Sequence, residues 1–562
     1  VSPVDIESGV LNKLNGQTDC ATCAPHHPGP QSAGNLQVDP EIRLPSPGMD
    51  VSVSYFYNSG DPTAGPYGHG RTISCNHRLT ARNNHTHVQM LRGDGSGVQY
   101  KQAETGNYEL SADLSWLGLS LKQENGQWVE TNSDGVKSYY PILEDGKTSK
   151  VSYIEDSVGN RHTYAYDSKG LLTTLTDTVG RQVTFSYNSH NLLSEITDWA
   201  GRKNLFTYDT ATDPRKPVLI KVTGPTGCQT KYKHNPEGLL SGIIDPNGYE
   251  TNYQYDKQGR VISRSIVGVG ETKYDYDFAA LSETGQYTRV VTDALGYKTA
   301  EVYDKVHRLV SSTSPMGRVT STDRNLDTGV HTSYLNGRID GVITYDANGN
   351  LTSSTAGGSK TTHTYDQFGN RTSTTFPDGV TTKLVYGFPG SEFDETGAKR
   401  RIQIETDQYG HEVKHSYNKF GQRTKTVDVY GQETKLEYDP LGNLAGKSDS
   451  LGNNWIAKHD AAGNVMEAID FEGRVVNIQY DARSRPVQVT DALGAVTKVA
   501  YDGNGNKVVL IDEMGNRWAW TFNVWDKLAS ATSPMGHVTK QEHDKLGRVV
   551  ATVDPLGNKS RT

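Results

Sequence analysis

Ala500 to Asn516 read AYDGNGNKVVLIDEMGN, and the fold turns on how this stretch is understood. Taken alone it suggests a ligand loop. Asp502, Asn504 and Asn506 alternate as calcium ligands do, and Glu513 follows Asp502 by eleven residues. Gly503 and Gly505 could belong to a phosphate cradle. The alternative is turn punctuation between two strands. An EF-hand loop needs Gly at its sixth position for the sharp bend, and Lys507 stands there. The flanking runs are strand-like, not helical.

The rest of the chain favours turns. Tyr417, Tyr438, His459, Tyr480, Tyr501, Phe522 and His543 are each 21 residues apart. Each is followed by Asn or Asp: Asn418, Asp439, Asp460, Asp481, Asp502, Asn523 and Asp544. Gly431, Gly452, Gly473, Gly494, Gly515, Gly536 and Gly557 keep the same step. Three residues before them come Asp428, Asp449, Asp470, Asp491, Asp512 and Asp554, with Ser533 as the exception. Asp bonds to its own backbone two residues on, and Gly takes the positive φ that closes the turn. Between turns lie runs such as KVVLI and AVTKVAY, rich in β-branched residues and Tyr. Each unit therefore reads as a two-stranded antiparallel hairpin.

Upstream, Tyr166, Tyr187 and Tyr208 keep the step of 21. Tyr232, Tyr255, Tyr303, Tyr345 and Tyr365 carry the pattern with insertions, and Gly387–Lys399 reads as a protruding loop. About 18–19 units are expected over 151–562, in an array expected to continue beyond 562. Turn density and the lack of a 3.6-residue period exclude a helical solenoid. A propeller would show blade boundaries every 40 residues or so, and none is seen. The expected fold is all-β: a long antiparallel sheet of hairpins coiled into a hollow spiral shell. About 38 strands at ~4.8 Å give a ribbon on the order of 180 Å long, or a single ring roughly 55–60 Å across.

Composition agrees. Hydrophobic residues are only 34%, while Gly numbers 58. Tyr, at 31, far outnumbers Phe, at 11, and suits a surface-rich fold because its ring packs while its hydroxyl reaches a polar partner. Net charge is -8 with signs interspersed, so nucleic acid is not an expected partner. No stretch approaches an apolar membrane span. No signal peptide is visible, but a chain that begins at Val1 is read as a piece of a longer one.

The unit Tyr-Asp-x-x-Gly-Arg/Asn-Leu/Val … Asp-x-x-Gly resembles the YD repeat of Rhs proteins, the shell proteins of polymorphic toxins. It is also similar to the shell subunits of insecticidal toxin complexes and to the YD shell of teneurins. YDKQGRVIS at Tyr255, YDPLGNLAG at Tyr438 and HDKLGRVVATVDPLGN at His543 carry the likeness. Residues 1–150 resemble the segment preceding the repeats in Rhs proteins, through Ser2–Gly9, Val53–Ser59 and Gly68–Leu79. Two departures stand out. Arg71 replaces the family's usual Trp, and a Cys/His-containing insertion lies near 15–35. The resemblance implies a non-enzymatic bacterial cocoon, secreted or extracellular, that encloses a C-terminal toxin domain of the same longer chain. A secretion apparatus or a host cell surface would be its further partners. Alternatives are a cell-surface YD protein for adhesion or carbohydrate binding, for which WAWTFNVW (Trp518–Trp525) offers stacking rings, and a subunit of an extracellular filament.

Candidate chemistry is sparse. Cys20, Cys23, His26 and His27 offer four metal ligands within eight residues, with half of a zinc spacing. Zinc is the one cofactor the sequence leaves open; a disulfide involving Cys75 or free thiols are the alternatives. Arg92-Gly93-Asp94 spells an adhesion tripeptide, but Asp94-Gly95 reads as a hairpin turn. Gly-x-Ser-x-Gly, His-Glu-x-x-His and Walker-type motifs are all missing, and no carboxylate pair stands out as an acid–base couple. No catalytic residue is assigned.

Overall fold

The computed structural model describes residues 36–561, apart from 62, 94, 111–117, 306–307, 326 and 388–399. Cys20, Cys23, His26, His27 and most of the loop expected at 387–399 lie outside the described residues. Within them are 51 strands, β1 (Leu36–Leu44) to β51 (Lys559–Arg561), and one short helix, α1 (Leu281–Thr284).

The turns form as the residues dictate. In the turn at Asp512, Oδ1 accepts hydrogen bonds from the amides of Met514 and Asn516. Gly515 closes that turn at φ 81° and donates its amide to the Asp512 carbonyl. The turn after the repeat Tyr uses the same device: Asp502 Oδ1 accepts from the amides of Gly505 and Asn506.

At the glycine of the Tyr-Asp turn the repeat is looser than the 21-residue step suggests. Ser484 and Asp526 stand where Gly505 stands, and they take φ of 60° and 54° regardless. A second correction concerns Tyr232. His234-Asn235, not Tyr232, occupies the Tyr-Asp register, because Asn235 starts the turn that Gly238 closes. Tyr232 lies two residues earlier on the same face of its strand.

Forty-six of the strands, β6 (Arg78–Arg82) to β51, make one antiparallel sheet in which nearly every strand pairs with its sequence neighbours. At its narrow end β13 (Thr148–Lys150) pairs back onto β6, while β14 (Tyr153–Glu155) pairs with β12 (Lys137–Pro141) and β15 (Arg161–Tyr166). From there the sheet leaves as an open spiral, and β51 pairs with β50 (Val549–Val553).

Curvature has a repeating cause. Across nearly all the Tyr-Asp turns the register slips by one residue at the repeat aromatic, as where Ala500 pairs with Val509 but Tyr501 with Lys507; the pair after Tyr276-Asp277 keeps its register. The same bulge recurs at Tyr166, Tyr187, Tyr255, Tyr417, Tyr438, His459, Tyr480, Phe522 and His543. A bulge bends its strand and sharpens the twist, so one per unit coils the ribbon.

The repeat Tyr then fastens the bend. Its hydroxyl donates to the carbonyl of the first residue of the preceding unit's second strand: Tyr187 to Leu172, Tyr438 to Arg423, Tyr480 to Val465 and Tyr501 to Pro486, at 2.9–3.0 Å. That carbonyl sits beside the bulge.

Contacts between turns give the pitch. Asn160, just before β15, donates to the carbonyl of Phe420, just before β38 (Arg423–Val427). Arg202, before β19 (Lys203–Asp209), donates to Ser484, before β44 (Pro486–Thr490). Asn247, before β23 (Glu250–Tyr255), meets Gly503 and Asp502, before β46 (Lys507–Ile511). The wall thus returns upon itself after 23–25 strands. At ~4.8 Å per strand a coil is roughly 110–120 Å around, or about 35–40 Å between facing backbones. This is tighter than the single ring expected from strand number, because the bulges bend the ribbon into two stacked coils.

Candidate functional site

The inner face carries the repeat aromatics, since residues two apart on a strand, and partners directly opposite, share a face. What meets that face differs between the coils. In the first, Tyr164, Phe185, Phe206, Ile243 and Tyr253 are buried in one cluster with Val51, Val53, Tyr55, Tyr57 and Ile73. The latter belong to a separate three-stranded sheet of β1, β2 (Val51–Asn58) and β5 (Arg71–Ile73). Tyr55 stacks on Phe206 at 5.0 Å, and its hydroxyl meets that of Tyr208 at 2.7 Å. The Tyr57 hydroxyl accepts the Leu240 amide, and Ser59 donates to the Gly259 carbonyl. The Leu193 amide donates to Pro66, and the His69 amide to Pro217. This small sheet is a plug that fills the first coil at its Tyr-Asp-turn edge. Burial in it pushes the Tyr57 phenol up to about 12, despite the Leu240 amide and the Arg71 charge.

A strap from Leu44 to Asp50 continues the plug into the seam between coils. His162 and Arg181 of the first coil bond the carbonyls of Met49 and Pro45. Pro45 and Pro47 lie against the turn glycines Gly463 and Gly442 of the second coil, where a Cβ would collide with their rings.

Among the described residues beyond Tyr303 no such cluster exists. Among the described residues from there to 561, the fully buried apolar side chains are Ala457, Ala462 and Ala551. The wall is intact, but its inner face is only half covered and bounds an open interior. Allowing about 5 Å of side chains on each side leaves roughly 25–30 Å. The lining changes along the coil. Thr320, Ser333, Thr361, Thr374, Thr426 and Thr434 make an early hydroxyl-rich stretch. Later come Ile478, Val489, Val499, Leu510, Trp518 and Trp520. Trp518, Trp520 and Phe522 therefore sit on the inner face, not on an outer platform for sugars.

The candidate residues of the sequence fall as follows. Tyr417, Tyr438, Tyr480 and Tyr501 make the hydroxyl–carbonyl bonds of the bend. Asp439, Asp481 and Asp502 start the Tyr-Asp turns. Gly431, Gly452, Gly473, Gly494, Gly515, Gly536 and Gly557 close the other turns, those started by Asp428, Asp449, Asp470, Asp491, Asp512, Ser533 and Asp554, with φ of 79–87°. Asp502 has a second role: its Oδ2 accepts from Asn247 and Asn506, and Asn504 donates to Asp245 and Asp526. Burial works against its charge, but these amide bonds hold the carboxyl below its usual range. The opening stretch is thus a seam between coils, which no local reading could reveal.

Arg92 is committed to a bidentate ion pair with buried Glu130, at 2.8 and 3.0 Å, and is not presented for adhesion. Cys75 is a buried free thiol, pushed up to about 12 by burial. Among the described residues no group of three or more His, Cys, Asp or Glu could hold a metal ion, and no helix is long and apolar enough to cross a membrane.

A family model described as RHS Repeat matches residues 166–203, 234–272, 345–381 and 480–517. The chain therefore carries Rhs repeats. Three of these matches begin at a repeat Tyr, and the fourth begins at His234, the residue the structure puts in that register. Solved structures similar to this Rhs array include TcdB2-TccC3, 12% identical over 94% of this chain and 28% of that chain, with a TM-score of 0.31. TcdB2-TccC3-TEV is 12% identical over 90% of this chain and 31% of that chain, at 0.35. A mutant Tc holotoxin pore of Photorhabdus luminescens is 13% identical over 92% and 27%, at 0.31. The chain spans less than a third of the length of each. No curated protein matched it.

Proposed function

We propose that this chain is part of a non-enzymatic shell whose interior holds a polypeptide, a toxin segment of the same longer chain, until delivery outside the producing cell. The observation that carries this is the contrast along one continuous wall. The first coil is filled by its plug, while the second has an unfilled inner face. A solid β-structure would bury the inner residues of both coils. The mixed lining suits a non-native chain: the apolar stretch from Ile478 to Trp520 gives adhesion, and the hydroxyl-rich stretch limits it. A secretion apparatus or a host surface is the expected further partner. The inward position of Trp518, Trp520 and Phe522 weighs against the carbohydrate-binding alternative.

The far rim supports a wall that continues. Tyr409, Tyr430, Leu451, Leu493, Met514, Met535 and Leu556 occupy one position of successive turns and are 75–93% exposed. The equivalent Val158, Val179, Ala200 and Asn247 of the first coil are half-buried on the edge where the second coil seats. We place a further coil of repeats on this rim.

The test is protease protection. With a flexible polypeptide joined after Thr562 in the context of the longer chain, the tail should survive protease doses that remove it from a free fusion. Equal digestion of both would contradict the proposal.

A further inference from the structure

Arg71, the departure from the family's Trp, lies at the plug–wall contact and is only 4% exposed. Its guanidinium is set against three rings, 5.5 Å from Tyr55, 5.2 Å from Tyr57 and 4.7 Å from Tyr232. Ring faces attract the charge but accept none of the in-plane N–H groups. Nε, Nη1 and Nη2 are all buried and meet no protein acceptor. A guanidinium cannot escape by deprotonation, and an unpaired buried charge costs several kcal/mol.

Two more donors border the same contact. His234 replaces the repeat Tyr on the wall side, and both its ring nitrogens are buried without a protein partner. On the plug side, His69 is 5% exposed and its Nδ1 is likewise unpartnered. Burial, then the charge of Arg71, then that of His69 push His234 down to about 3, so His234 feels both of the other groups. The neighbouring carboxylates are engaged elsewhere. Asp209 accepts from Ala211 and Thr212, Asp61 from Thr63, and Asp213 from Arg215.

We infer that Arg71, His234 and His69 form a buried site for a small inorganic oxyanion at the plug–wall interface. The guanidinium supplies charge and a planar fork, and the imidazoles supply donors from both sides of the contact. A bound oxyanion supplies the missing counter-charge and ties the plug to the first coil. This inference does not depend on the cargo-holding reading.

Titration calorimetry with inorganic phosphate on the full chain, at constant ionic strength in chloride, should show one saturable site per chain. The unfolding midpoint should rise with phosphate concentration at 1–20 mM, a range too dilute for general salt effects. Arg71→Trp, which supplies the residue the resemblance expects and removes the charge without leaving a cavity, should abolish both signals while still unfolding cooperatively. His234→Tyr should weaken binding about tenfold or more, the loss of one charge-assisted hydrogen bond. Absence of saturable binding to the wild-type chain overturns the inference. So does an equal phosphate response in Arg71→Trp. If that variant fails to fold, the wild-type titration and His234→Tyr still decide the matter.

Discussion

Replacing Tyr438, Tyr480 and Tyr501 together by Phe isolates the bond that fastens each bend. Each hydroxyl donates to a carbonyl 15 residues earlier, at 2.9, 3.0 and 3.0 Å. Removing the hydroxyl keeps the ring and its packing, so the loss is one hydrogen bond and not a cavity. A neutral bond of this kind contributes about 0.5–1.5 kcal/mol net. Tyr438 and Tyr501 are partly wetted, which puts them at the lower end, and each acceptor carbonyl can turn to water. The triple variant should therefore lose about 1.5–3 kcal/mol. The sites lie in different units and share no partner, so the single effects should add. Urea unfolding followed by far-ultraviolet circular dichroism is the assay, with an unchanged slope and a lower midpoint expected. Phe522 gives the reverse test: Phe522→Tyr should stabilise by about 0.5–1 kcal/mol. An unchanged midpoint in the triple variant would refute the view that Tyr is used for its hydroxyl.

Three further outcomes follow from the same geometry. Asn247→Ala removes two hydrogen bonds across the seam and should cost about 1–2 kcal/mol, whereas Asn453→Ala, in an exposed rim turn, should cost far less; equal losses in urea midpoints would argue against stacked coils. Turn carboxylates such as Asp481 and Asp502 are held below their usual range by hydrogen bonds that outweigh burial. A depressed folded pKa gives stability that is present above the unfolded value and is lost as pH falls below it, near 4 for the carboxylates and about 6.5 for His234, so the urea midpoint should begin to fall below about pH 6.5 and drop further below about pH 4; no drop by pH 3 would contradict this. Changing Leu451, Leu493, Met514 and Leu556 to Asp should leave the fold intact and reduce self-association of the chain in analytical ultracentrifugation; unchanged association would show that the exposed row is not adhesive.

The sequence made the hairpin unit legible because its causes are short-range. Asp and Gly fix the turns, and alternation fixes the faces. Errors entered where the signal was two-fold ambiguous. Tyr232 and His234 are two residues apart on one face, so an aromatic alone could not set the register. The spacing of Asn235 and Gly238 could have done so. Ser484 and Asp526 show that the positive-φ position is imposed by the fold and not by the residue. The bulge leaves no composition signal, and with it the coil diameter stayed hidden. The plug was illegible for another reason. Val53, Tyr55 and Tyr57 mark a buried strand, but nothing local says that their partners are Phe206, Tyr208 and Leu240. The Arg71 site needed a contact between residues 163 positions apart, although Arg71 had already shown itself as a departure.

The central claim is that one sheet winds through two stacked coils, the first plugged and the second open inside. Electron cryomicroscopy of the chain tests it most directly. The expected image is a hollow body with about 35–40 Å between facing walls, 23–25 strands per coil, and density across the interior only at the N-terminal end. A solid rod, a flat ribbon or a single wide ring would contradict it.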